Sequence, residues 1–381
     1  MSLLSVPALI ADAECAIKLS DWGSSSFIEP LSIYLDSIKK QSALTPQGEQ
    51  LVYRTLLRLL CNRLKIQRDL SIYREIQNVE LPPLIFITGL PRTGTTLLHR
   101  LMATDVNARY LRLWEGMFPS PPPGASGSID EERRKLAAAW VEGVSQIAPA
   151  MAAAHHFASN DPEECYLLHE HSFVDTIFEL RTHVPEYSEY LVEHEAKSEL
   201  YEEYKQILKL LSLHCAEKYW VLKAPRHLMG LSGLIKVLPN ARIIHVHRDP
   251  NEAIASLCSL CEIDRRIYCN SIDRPEIGKF WLNRLANAVE QSLKIRDSDS
   301  YDRYIDVHYV NLLADPIATV KEIYARLGFV WSVQYEQAIT DWLQLHPQNV
   351  HGRHQYQLSD YFLTSQNVNT RFENYRQRFL L

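Results

Sequence analysis

No apolar run in the 381 residues approaches the roughly 18 that a membrane-spanning helix needs. The opening stretch MSLLSVPALIADAECAI is apolar but lacks the basic residues of a secretory signal, and Asp12 and Glu14 come early, so no such signal is expected. Positive charge is not in excess either. Forty basic against 46 acidic residues leave a net charge of −6, which speaks against a general binder of nucleic acid or membrane surfaces while allowing a local basic pocket. Seven scattered cysteines, odd in number, read as reduced thiols rather than a disulfide frame. Internal repeats, low-complexity tracts and a long linker are lacking. What remains is a globular composition, 46% hydrophobic and 23% charged, sufficient for one large domain or two ordinary ones. A soluble cytoplasmic protein is the expectation.

Residues 1–80 have helical texture and carry no obvious chemistry. From Gln50 to Tyr73, Leu51, Val52, Leu56, Leu59, Leu60 and Leu64 recur at helical spacing, and the basic residues between them are expected to form a solvated face. At Leu81-Pro82-Pro83 the texture changes. Leu84 to Thr88 is a continuous apolar run of the kind that forms a strand buried on both faces, and Trp220–Leu222, Arg242–His247 and Tyr304–Val307 are further strand candidates. Helical patterns fill the gaps, so residues 81–381 are expected to form an α/β domain with a parallel sheet flanked by helices, and residues 1–80 an added helical region packed on it.

Asp161-Pro162-Glu163-Glu164, Asp249-Pro250-Asn251-Glu252 and Asp315-Pro316 each have the form of a helix opener, with a capping aspartate before a proline. Capping accounts for these carboxylates without catalysis. Ser120-Pro121-Pro122-Pro123-Gly124 is a stiff loop, and the helix that follows is expected to point Leu136, Trp140, Val141 and Val144 inward.

The strongest motif is Gly89-Leu90-Pro91-Arg92-Thr93-Gly94-Thr95-Thr96, set between a buried strand and a helix. Glycines permit the sharp turn, and successive amides at a helix N-terminus bind a phosphate. A nucleoside-triphosphatase loop has lysine directly after its second glycine; here Thr95 stands there and the nearest cation is Arg92. The site therefore suits a 5′-phosphate without a triphosphate tail or an obligatory metal.

In these residues the chain resembles the bacterial-type sulfotransferases that use 3′-phosphoadenosine 5′-phosphosulfate (PAPS). Arg92-Thr93-Gly94-Thr95-Thr96 is similar to that family's phosphosulfate loop. A second family signature, a strand followed by arginine and then serine, is similar to Arg242–His247, Arg248 and Ser256. Trp220 to His227 and His351-Gly352-Arg353-His354-Gln355-Tyr356 are softer matches. The resemblance implies a P-loop-type fold and PAPS, released as 3′,5′-adenosine bisphosphate, as the donor. It also implies Arg248, Ser256 and Arg353 on the 3′-phosphate, and transfer to a hydroxyl or amine of a small acceptor; the aromatics Trp114, Phe118, Trp140, Phe157, Phe173 and Phe178 between the two motifs point to a partly apolar one. No metal and no nucleic-acid partner are expected.

In-line sulfuryl transfer needs a base for the acceptor and positive charge for the sulfuryl oxygens and leaving phosphate. Glu115, where several members of that family keep a glutamate, is the first base candidate. His227 is the second, its spacing shifted from the family pattern, and His155 (beside His156) the third. Lys223 is the expected partner of the sulfuryl oxygens, helped by Arg92. The Cys258/Cys261 pair has zinc-like spacing but lies on a helix without a second pair, so packing is its expected role. A P-loop small-molecule kinase and a non-catalytic nucleotide-binding module are the alternative readings.

Overall fold

The computed structural model describes residues 3–154, 157–347 and 356–381. Among these residues five strands make one sheet: β1 (Leu84–Gly89), β2 (Ala108–Tyr110), β3 (Tyr219–Lys223), β4 (Arg242–His247) and β5 (Tyr304–His308). They pair in parallel in the order β2-β3-β1-β4-β5, giving the α/β architecture with a parallel sheet and flanking helices. The four strands expected from apolar runs are all present. β2 is not legible in the sequence, because this short edge strand has Arg109 at its centre. That guanidinium is buried over the Trp220 ring of β3, 4.5 Å from its centroid.

The chain forms two compact units, the first from Met1–Leu81, Arg112–Ala216 and Cys261–Ile272, the second from Pro82–Leu111, Glu217–Leu260 and Asp273–Leu381. The change of texture near residue 81 is where the chain first passes from one to the other.

In the first unit the helix Pro46–Ile72 is opened by Thr45, whose hydroxyl accepts from Gly48 N at 2.8 Å. Its Val52, Leu56, Leu59, Leu60 and Leu64 pack with Phe173, Phe178 and Tyr187. The basic residues of this helix are not simply solvated. Arg58 pairs with the buried Glu170 at 2.6 Å, and Arg63 donates to the His171 carbonyl at 2.8 Å. A carboxylate taken fully out of water needs such a partner.

Two local expectations are corrected here. The helix Gly127–Ile147 buries Asp130, Arg133 and Ala137, while Leu136 is exposed, because Arg133 lies over the Trp114 ring at 4.6 Å and sets the helix phase. Asp161-Pro162 does not open a helix; the next one begins at Tyr166. Its backbone is used elsewhere, the Asp161 carbonyl accepting from Leu113 N at 3.3 Å. Asp315 does cap as expected, accepting from Ala318 N at 2.9 Å.

In the second unit β1 is central and fully buried. Ile85, Ile87, Val221, Ile244, Val246 and Ile305 form the core of one face with Leu98, Leu101 and Met102 of the helix Thr95–Met102. From β1 the chain leaves toward β2, and from β4 toward β5. The carboxyl ends of β1 and β4 therefore flank a crevice, the place where open parallel sheets bind ligands. Among the described residues no helix is long and apolar enough to cross a membrane.

Candidate functional site

β1 ends at Gly89, whose φ of +150° and surroundings require glycine: a Cβ there would lie 2.4 Å from the Val246 carbonyl oxygen of β4. The loop then turns through left-handed backbone at Arg92 (φ +67°) and Gly94 (φ +87°) before the helix starts at Thr95. The Thr93 hydroxyl donates to the Leu90 carbonyl at 2.7 Å and closes the loop on itself. A glycine-bearing turn leading into a helix N-terminus directs amide groups and the positive end of the helix dipole at one point, an anion site.

The second motif arrives from β4. Arg248 follows the last residue of that strand, and Ser256 lies on the helix Pro250–Tyr268. Arg92 Nε donates to Ser256 Oγ at 3.1 Å, and Arg248 Nη1 donates to the Arg92 carbonyl at 2.7 Å. Two motifs far apart in the chain thus interlock residue to residue. Asp249 accepts from Asn251 N at 2.9 Å, as a cap does. Glu252, expected to complete that cap, instead accepts from Arg248 Nε at 2.8 Å.

Tyr309, which no sequence motif marks, joins both. The Arg248 guanidinium lies 4.2 Å from its ring centroid, and a Cβ on Gly94 would come within 2.6 Å of the same ring. It follows β5 directly, so only the strand order, which sets β5 beside β4, reveals it.

Lys223, the last residue of β3, is buried and its Nζ donates to Thr96 Oγ1 at 3.3 Å. His227 is also buried, edge-on to Phe86 with ring centroids 4.8 Å apart. Burial, and then the neighbouring Arg226, push the His227 imidazole well below the ordinary histidine pKa and keep it neutral. The loop residues, Lys223, His227, Arg248 and Ser256 all belong to the second unit.

Glu115 belongs to the first. It is buried at the third position of the short helix Leu113–Met117, and Arg112 engages both its oxygens, backbone N at 3.1 Å and Nη1 at 3.0 Å. The sequence does not announce this reciprocal cap, since an arginine seldom occupies the capping position. His155 and Arg353 lie outside the described residues.

Among the described residues one cluster, His245, His247 and Asp306, has metal-ligand spacing. Arg296 fills it, donating to His245 Nδ1 at 3.0 Å and to the two Asp306 oxygens at 2.8 and 2.9 Å. Burial would raise the Asp306 carboxyl, but the hydrogen bonds from His247 and Arg296 prevail and hold it far below the usual range. The Cys258 and Cys261 thiols are buried on the helix Pro250–Tyr268.

Residues 83–333 match the sulfotransferase family. Over 270 residues the chain is 27% identical to the omega-hydroxy-beta-dihydromenaquinone-9 sulfotransferase of Mycobacterium bovis, and equally to that of Mycobacterium tuberculosis. That match takes in 67% of this chain and 65% of the relative, just under two thirds of its length. Among solved structures, sulfotransferase STF1 of Mycobacterium tuberculosis H37Rv is 30% identical with a TM-score of 0.87, covering 98% of this chain and 99% of that one. Sulfotransferase STF9 of Mycobacterium avium is 26% identical with a TM-score of 0.88, covering 99% and 97%.

Proposed function

Since the chain belongs to the sulfotransferase family, we propose that it moves a sulfuryl group from PAPS to the hydroxyl of a small lipophilic acceptor. The interlock of Arg92 with Ser256 and Arg248 carries this reading. It joins an anion loop lacking the triphosphatase lysine to a second cationic position, as a nucleotide phosphorylated at both 3′ and 5′ positions requires.

In this reading the amides and hydroxyls of Thr93 to Thr96, with Gly94 allowing close approach, hold the 5′-phosphosulfate. Arg92 and Lys223 neutralise the sulfuryl oxygens and the phosphate oxygen that leaves. Arg248 and Ser256 take the 3′-phosphate, with Arg353 expected beside them. Glu115 is assigned the acceptor's proton, because a carboxylate withdrawn from water and held in one orientation by Arg112 suits that task. His227, neutral through burial, is the alternative base. The acceptor oxygen bonds to sulfur as the bond from sulfur to the phosphate oxygen breaks, and the bisphosphate departs.

The relatives' name concerns an omega-hydroxylated dihydromenaquinone, so hydroxyls on apolar bodies are the acceptors to test first. Incubation with PAPS and a panel of long-chain alcohols, phenols and hydroxylated quinones should yield a sulfated product and an equivalent of 3′,5′-bisphosphate. Turnover with Mg-ATP, and none with PAPS, would favour the kinase reading.

A further inference from the structure

We propose that Glu252 is a built-in competitor for Arg248: it holds the edge of the guanidinium that a 3′-phosphate takes, and the nucleotide displaces it. This rests on the reading of Arg248 as the 3′-phosphate ligand.

Arg248 presents three surfaces, and each has a partner of a different kind. Its Nη1 donates to the Arg92 carbonyl at 2.7 Å, and its flat face lies over the Tyr309 ring at 4.2 Å. Its remaining edge, Nε and Nη2 together, converges on one oxygen of Glu252, with Nε at 2.8 Å and Nη2 closer still. That forked edge is the one that grips a phosphate with two parallel hydrogen bonds. The first two partners are uncharged and aim the guanidinium without covering the fork. Among the described residues Glu252 alone competes for it.

Glu252 is also placed to leave. Its side chain is 59% exposed against 17% for Arg248, so the carboxylate can rotate into water while the guanidinium stays against Tyr309 and the loop. An ion pair this exposed holds by a factor of only about two to five, little enough for a dianionic phosphate to overcome. A 3′-hydroxyl carries no charge to displace it. The cost of displacement falls on the nucleotide's affinity, and the returning carboxylate favours departure of the bisphosphate product.

The test is calorimetric titration of the full chain with 3′,5′-adenosine bisphosphate and with 5′-AMP, comparing wild type with Glu252→Gln and Glu252→Ala. Glutamine keeps an acceptor oxygen and removes the charge; alanine removes both. Either variant should bind the bisphosphate about two- to fivefold more tightly, with 5′-AMP affinity unchanged and the gain abolished in an Arg248→Ala background. Bisphosphate affinity that is unchanged or weaker in both variants, with wild type still preferring the bisphosphate over 5′-AMP, would make Glu252 a support of Arg248 and overturn the proposal. Equal tightening of 5′-AMP would place the effect away from the 3′-phosphate and overturn it as well. A wild type without preference for the 3′-phosphate would remove Arg248 from the site, and the proposal with it.

Discussion

Arg92 reaches from the loop after β1 to the helix after β4, and its Nε donates to Ser256 Oγ at 3.1 Å. The contact makes one site of two motifs that in the sequence are only similar in kind to a known pair. Its position follows from the strand order, which sets the carboxyl ends of β1 and β4 side by side.

The loop's geometry leaves no room for a side chain at Gly94. A methyl group there would press on the Tyr309 ring while the backbone holds φ at +87°. Gly94→Ala is therefore expected to destabilise the protein by about 2 kcal/mol and to weaken bisphosphate binding, both readable by thermal denaturation and titration. A variant with wild-type melting and affinity would show that neither the conformation nor the ring constrains this position.

Much of this site is legible in the sequence. Continuous apolar runs announce β1, β3, β4 and β5, and Gly89 and Gly94 mark the turn that follows β1. What the sequence hides are the partners that a side chain finds across space. Glu252 has the spacing of a reciprocal cap and takes Arg248 instead. Arg58 resembles a solvated charge and neutralises Glu170. The helix Gly127–Ile147 turns Arg133 inward against Trp114 in place of Leu136, where the guanidinium also donates to the Phe118 and Pro121 carbonyls and pairs with Asp130. Tyr309 carries no motif at all.

Two substitutions separate the proposed base, Glu115, from its alternative, His227. Glu115→Gln should lower kcat about 10²-fold while leaving bisphosphate affinity near normal. It should also cost some thermal stability, since the glutamine weakens the reciprocal cap with Arg112. Turnover within about threefold of wild type would withdraw Glu115 and move the role to His227, where His227→Gln should then abolish activity.

Acid should destabilise the protein between about pH 6.5 and 4. Burial holds His171 at about 4 against the opposing pull of Glu170, and its ring lies between Asn62 Nδ2 at 3.0 Å and the Leu168 carbonyl at 3.2 Å, partners that suit the neutral form. A histidine depressed in the folded state contributes stability above its unfolded pKa and loses it as pH falls toward the folded value, at about 1.4 kcal/mol per pH unit. His227, His245 and His247 are depressed in the same direction. Asp264, raised by burial to about 6, acts oppositely, gaining stability for the fold on acidification, but among the described residues it is one carboxyl against four histidines. Melting temperature should therefore drop from pH 7 to pH 4, with a shallower drop in His171→Gln. A flat or rising profile would mean these histidines are not held neutral.

Titration calorimetry of the wild-type chain with 3′,5′-adenosine bisphosphate, 5′-AMP and ATP, each with and without magnesium, tests the joined site most directly. Tight binding of the bisphosphate, indifferent to magnesium and much stronger than that of 5′-AMP, is the predicted result. Preference for Mg-ATP, or equal affinity for 5′-AMP and the bisphosphate, would contradict the roles given to Thr95 and Arg248.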